Sequence, residues 1–393
     1  MNRRTLAILG LTGILGILSW CGCTTTTPDK PVVMPNPTVP STFGRPLPDI
    51  RAFCVDFNWY GAGFAEPGTF ANADPVTQVA WYNNLGCNVI QTFCVTCDGY
   101  SWYNGITAPV QPGLKGDFLR DMVRLGHRES MRVMGYFCVG ANRHWGTTKP
   151  ELSRGAPSSI HIPLTTVYLD YLCAEIREAV ATGIDGFMVD WFFNVRPQGQ
   201  WLACEKQMYA ELFEKEFPGE AALAEADITE FCRRAVDRAW KRIRTTTKTA
   251  NPKCIIWLSS HNPSDPQQAG SSLLKEVDWI MSEGPNREQL EQARRMAGPN
   301  TTVIQCVCGW GKEHSASFLM DTYGDEPIGF YGFAWPWKNT CLPPEGADID
   351  FAAGSADGAG TRDRWTGNAV NIAETRNYWN ETARKHARPI GRK

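Results

Sequence analysis

The chain has 393 residues, of which 43% are hydrophobic and 20% charged, enough apolar side chain to bury a large core without metals or staples. A formal net charge of −2 argues against nucleic acid or an anionic membrane as the main partner, because both demand a basic surface. The 15 Trp and 11 Tyr are the unusual feature, since indole and phenol rings lie on the apolar faces of sugars while their polar tips hydrogen-bond.

At the amino terminus, Met1-Asn2-Arg3-Arg4 precedes an apolar run from Leu6 to Trp20 and then Cys21-Gly22-Cys23. This is the order of an export signal over residues 1–23, and the run is too short for a transmembrane span. Leu18-Ser19-Trp20-Cys21 has the form of a lipoprotein signal in which Cys21 carries lipid, with plain secretion as the alternative. Arg3-Arg4 is read as an ordinary positive start rather than a twin-arginine signal. Residues 24–48 are rich in Thr and Pro and lack apolar periodicity, so they are expected to form a stiff extended tether. Export to the periplasm, cell surface or medium is expected, with the membrane reached only through the lipid anchor. Residues 49–393 are expected to be one domain.

From residue 50, apolar runs alternate with amphipathic helical stretches, the rhythm of repeated βα units. The runs are Ala52 to Trp59, Asn88 to Val95, Arg132 to Val139, Gly186 to Phe193, Cys254 to Ser259, Asp278 to Ser282, Thr302 to Val307 and Pro327 to Ala334. They are continuous rather than alternating, as strands covered on both faces require. Asp74, Pro75 and Gly86 punctuate a helix over Val76 to Leu85, and further helices are expected at Thr165 to Thr182, Asn286 to Ala297 and Gly367 to His386. A long insertion, about Val195 to Pro252, carries two helices and is expected to shape the active-site face. The fold class predicted is α/β, a (β/α)8 TIM barrel. A doubly wound open sheet is rejected because no glycine-rich phosphate loop follows the first strand. The cysteines beyond the signal sit mostly in apolar runs and are read as core packing, with one or two disulfides left open.

Barrel enzymes carry their chemistry at the C-terminal ends of strands. Those ends bring together Asp56, Trp59 and Tyr60; Asp98 and Trp102; Asn142 and His144; Asp190, Trp191 and Asn194; His261; Glu283; and Trp337. Trp310 stands near the seventh. Glycoside cleavage needs one carboxyl to protonate the leaving oxygen and another to act as nucleophile or to activate water. Asp190 and Glu283 are the expected catalytic pair, because each directly follows an apolar strand. The other rim residues are expected to bind substrate, Trp59, Trp102, Trp191 and Trp337 as sugar platforms, whereas Trp257 and Trp279 are read as packing. The competing roles are a buried ion pair of Asp190 with Arg143 or Arg196, a helix cap for Glu283, and a turn for Asp98 beside Gly99.

The segment Gly183-Ile184-Asp185-Gly186-Phe187-Met188-Val189-Asp190-Trp191 resembles the fourth-strand nucleophile segment of retaining α-glycosidase barrels, among them the α-L-fucosidases and the α-galactosidase group. The resemblance implies that Asp190 is the nucleophile, that Glu283 near the sixth strand is the acid/base, and that the glycosidic configuration is retained. The histidine-rich signature of the fucosidases is absent, so the sugar stays open. No His-x-His pair, Gly-x-Ser-x-Gly elbow or dedicated phosphate loop occurs, and no metal or cofactor is expected. The expected substrate is an oligo- or polysaccharide. The alternative is a non-catalytic sugar-binding barrel, in which the two carboxyl groups would stand apart.

Overall fold

A computed structural model describes residues 50–60, 63–154, 161–192, 195–197, 199–284, 287–309, 316–323, 328–343 and 362–386, with side chains of the last helix described at 369–381. The expected signal and tether, Asn194 and Trp310 lie outside the described residues.

Eight parallel strands close into a barrel: β1 (Arg51–Val55), β2 (Val89–Gln91), β3 (Arg132–Cys138), β4 (Gly186–Asp190), β5 (Ile255–Ser260), β6 (Trp279–Ser282), β7 (Thr302–Cys308) and β8 (Gly329–Ala334). Each pairs with its sequence neighbours, and β8 returns to β1 with Arg51 opposite Phe330 and Val55 opposite Ala334. The protein is a (β/α)8 barrel. The strands are buried along almost their whole length, which is why they read as unbroken apolar runs.

Helices cover the ring. They are α1 (Pro75–Leu85), α2 (Phe118–Arg128), α3 (Arg143–Thr148), α4 (Thr166–Val180), α5 (Ala203–Phe213), α6 (Glu225–Ala250), α7 (Pro266–Ala269), α8 (Leu273–Glu276), α9 (Arg287–Met296), α10 (Ala316–Tyr323) and α11 (Arg362–His386). The punctuation read from the sequence around α1 holds. Asp74 Oδ2 accepts from Thr77 N at 2.9 Å, Pro75 opens the first turn, and Gly86 stops the helix at φ 90°. The last helix covers the seam of the ring, where the eighth strand meets the first. It packs between α1 and α10, with Trp379 buried and the Tyr378 hydroxyl donating to Met320 O at 3.2 Å. Among the described residues no helix is long and apolar enough to cross a membrane.

The first two strands end sooner than their apolar runs. β1 stops at Val55, and Trp59–Tyr60 pairs antiparallel with Gly63–Phe64 in a small hairpin over the barrel mouth. β2 stops at Gln91, after which Cys94 N and Val95 N both reach Tyr136 O at 3.2 Å and the chain folds inward. The insertion also differs from expectation. α6 packs on α4 as an ordinary barrel helix, and no described residue between 195 and 252 lines the pocket at the mouth. Among its ties to the rest of the barrel is the Arg154–Glu205 ion pair, which is nearly dry. All twelve described cysteines hold free thiols, and eleven of them are buried, as core packing requires.

Candidate active site

At the C-terminal end of the barrel lies a cavity of about 200 Å³. It takes Asp56 and Trp59 from the β1 side, Tyr136 from β3, Asp190 and Trp191 from β4, Ser259 and His261 from β5, and Glu283 from β6. Gln91, Met188, Met281, Tyr331 and Phe333 are among the residues of its floor and walls, with Cys54, Asn58 and Phe93. The sequence-predicted carboxyl groups Asp56, Asp190 and Glu283 therefore face one space, together with Trp59, Trp191 and His261.

Asp190 ends β4 and is supplied with two donors. The Tyr136 hydroxyl donates to Oδ2 at 2.9 Å, and Trp191 N donates to Oδ1 at 2.8 Å. Trp191 adopts the left-handed region at φ 63°, a conformation that costs a non-glycine residue on the order of 1–3 kcal/mol. The turn is braced from β3: Val139 N donates to Asp190 O at 2.9 Å, and a Cβ at Gly140 would stand 2.3 Å from Trp191 O. Only glycine fits there. Burial, followed by the charge of Glu283, holds the Asp190 carboxyl above the usual carboxylate range. The ion pairs weighed for Asp190 do not form, since Arg143 pairs with Glu66 and Arg196 with Glu225.

Glu283 follows β6 and is buried. Its Oε2 accepts from Ser259 Oγ at 3.2 Å and lies 2.9 Å from His261 Nε2, whose side chain is half exposed. Its carboxylate thus faces the cavity and the end of β5, where a capping role would have pointed it at α9. Asp56 accepts from Asn58 N at 2.9 Å, and burial pushes its carboxyl up to about 7, helped by the charges of Asp190 and Glu283. Beneath it the Tyr331 hydroxyl bonds Gln91 Oε1, while the Tyr82 hydroxyl accepts from Val55 N at 2.8 Å and donates to Gln91 O at 3.0 Å. The Tyr136 hydroxyl stays protonated because burial and the Asp190 charge push it far up, so it is a fixed donor.

Trp59 stacks on Phe64, with ring centroids 4.3 Å apart, and on Trp335 at 6.1 Å. Trp191 lies 5.7 Å from Phe64 and 5.6 Å from the His161 ring. Together they form the aromatic rim of the cavity.

The remaining described rim residues do not line it. Trp102 is core: it stacks on Phe57 at 4.6 Å, packs edge-on to Phe118, and donates Nε1 to Thr96 Oγ1 at 3.3 Å. Asp98 shapes a turn, accepting from Tyr100 N at 2.9 Å and Gln111 Nε2 at 2.7 Å. Asn142 caps α3 by accepting from Trp145 N at 2.8 Å, and His144 sits in that helix against the Tyr100 ring. Tyr60 packs edge-on to Phe70, and Trp337 is half-buried where its amide bonds Leu342 O. Trp257 and Trp279 pack in the barrel wall as expected, 5.6 Å apart. Sequence reasoning missed Tyr136, Gln91, Tyr331 and Phe333, whose aromatic and polar side chains are hidden within strand runs.

Among solved structures the chain is similar to the α-L-fucosidase isoenzyme 2 from Paenibacillus thiaminolyticus, with a TM-score of 0.57 and 16% identity over 84% of this chain. The likeness is one of fold. The chain spans 50% of that enzyme's length. The α-L-fucosidase AlfC from Lactobacillus casei (TM-score 0.47, 10% identity, 86% of this chain and 97% of that one) is a weaker match. So is a maltogenic α-amylase, AmyB from Thermotoga neapolitana (0.45, 12%, 85% and 77%). No family model and no curated protein matches the sequence. The chain thus shares its barrel fold with the Paenibacillus enzyme.

Proposed function

We propose that this protein is a glycoside hydrolase that releases a single neutral sugar from a glycan outside the cytoplasm, with retention of configuration. The observation that carries this reading is the convergence of Asp190 and Glu283 on one small cavity beneath a tryptophan rim. A sugar-binding barrel would have no use for two acidic groups so close that the charge of Glu283 raises the Asp190 carboxyl, as it does here. The cavity volume suits one ring, and three carboxyl groups with no Lys or Arg among its described lining residues favour a neutral sugar over an anionic one. The basic, apolar and cysteine-bearing start of the sequence supports export.

In the first step Glu283 gives its proton to the glycosidic oxygen as the bond to the anomeric carbon breaks. Asp190 closes on that carbon and forms a glycosyl ester. In the second, Glu283 as carboxylate takes a proton from water, whose oxygen attacks the same carbon and frees Asp190. Ser259 and His261 hold Glu283 in place through both protonation states, and Tyr136 and the Trp191 amide hold Asp190 in its ionised form. The test is a panel of aryl glycosides, beginning with α-L-fucosides and α-D-galactosides, with the first-formed anomer read by proton NMR. Release of the substrate's own anomer supports the reading. Release of the opposite anomer removes the covalent step, and no cleavage across neutral sugars removes the hydrolase.

Tyr136→Phe deletes one of the two donors to Asp190. The carboxylate is then less stabilised, so the acid limb of kcat/KM moves to higher pH, and activity below neutrality falls about tenfold, the worth of one buried hydrogen bond to a charge. An unmoved acid limb in the pH profile would detach Tyr136 from Asp190.

A further inference from the structure

Three carboxyl groups share this cavity, and the structure does not serve them equally. Asp190 receives a hydroxyl and an amide. Glu283 receives the Ser259 hydroxyl and stands against the one histidine among the described lining residues. Asp56 receives a single amide, from Asn58, on Oδ1. Among the described residues no donor is bonded to its Oδ2, and no cation touches it.

Apart from the Asn58 amide, the groups around Asp56 make ionisation there costly. The Asp190 charge presses on it, and so does that of Glu283 whenever Glu283 is ionised. Cys54 and Tyr331 lie on its inner side as neutral groups, because burial pushes both far up, and the Tyr331 hydroxyl is turned away to Gln91. Tyr136 is spent on Asp190, and His261 on Glu283. The cavity therefore keeps a proton that the two-carboxylate mechanism does not use.

We propose that Asp56 works as a neutral carboxylic acid and donates its Oδ2 hydrogen to an oxygen of the bound sugar. This rests on the hydrolase reading for its ligand but not for its protonation state. The chemical sense is that three carboxyl groups in one cavity would otherwise offer the sugar hydroxyls mostly acceptors, and a protonated Asp56 adds a donor. It also fixes a sign for pH. As pH rises through about 7 the proton is lost, the donor becomes an acceptor, a further negative charge enters the cavity, and sugar binding weakens.

Two measurements test this on the whole protein. The first is carbon NMR of protein labelled at the aspartate carboxyl carbons, with the Asp56 signal assigned by its loss in Asp56→Asn. A carboxyl still protonated at pH 6 is expected, and one already ionised at pH 5 overturns the proposal whatever the protein cleaves. The second compares Asp56→Asn, which keeps a neutral donor of the same shape, with Asp56→Ala on the aryl glycosides the wild type cleaves. Asp56→Asn is expected to lose at most about tenfold in kcat/KM at pH 6 and to flatten the fall towards pH 8. Asp56→Ala is expected to lose about 100-fold, chiefly through KM. Equal losses in both variants overturn the donor role. Collapse of Asp56→Asn only on poor leaving groups overturns it too, by making Asp56 the general acid. If the wild type cleaves nothing, the hydrolase reading fails and the carboxyl titration alone decides whether Asp56 is neutral.

Discussion

Asp190→Asn is expected to leave a folded barrel that releases sugar at least about 10³-fold more slowly. The amide keeps the size of the carboxyl, so the Trp191 turn and the Val139 contact to the Asp190 carbonyl survive, and the thermal transition should move little. What is lost is the negative oxygen that must bond the anomeric carbon. The sharper form of the test is Asp190→Gly with sodium azide. The shortened side chain opens room for a small anion on the nucleophile's side, so azide should restore turnover of an activated glycoside and yield the glycosyl azide of inverted configuration. Near-full activity of Asp190→Asn on a glycoside the wild type cleaves would strip Asp190 of its role.

Glu283→Gln should divide substrates by their leaving groups. A dinitrophenolate departs without protonation, so its release should stay within about tenfold of the wild type for the first turnover, while a glycoside with an alkyl or sugar leaving group should lose about 10²- to 10⁴-fold. A uniform loss across leaving groups would mean that Glu283 supports the cavity without moving a proton. The half-exposed His261 beside it offers the chain's own candidate for that proton's exit to solvent.

The ring was legible because a strand covered on both faces must be apolar throughout, and eight such runs at βα spacing leave few alternatives. Asp190 and Glu283 were legible for a related reason: a carboxylate at the end of a buried run has a fold-level position and not only a local one. Tyr136, Gln91 and Tyr331 were not, because a continuous apolar run hides which residues point into the barrel and which into the helices. Without that phase an inward tyrosine reads as core. Trp102 failed in the opposite sense. It follows the second run, but β2 ends at Gln91, and the chain beyond it folds back so that Trp102 meets Phe57 and Phe118. Asn142 and His144 were drawn to the rim by their place after β3, yet they begin a short helix whose capping absorbs the asparagine.

The closure of the ring has a consequence for when this protein can first hold its ligand. Asp56 and Tyr331 are brought together only by the pairing of β1 with β8, sealed by the Asp56 amide on the Ala334 carbonyl at 2.9 Å. Every other strand pair joins neighbours in sequence, so most of the wall can assemble while the chain is still emerging, whereas this seam waits for nearly the whole of it. A fragment ending before β8 would carry Asp190 and Glu283 on an open, half-wetted sheet with Asp56 facing solvent and no reason to keep its proton. Any recognition that needs Asp56 beside Tyr331 thus requires the last strand of the barrel to be in place.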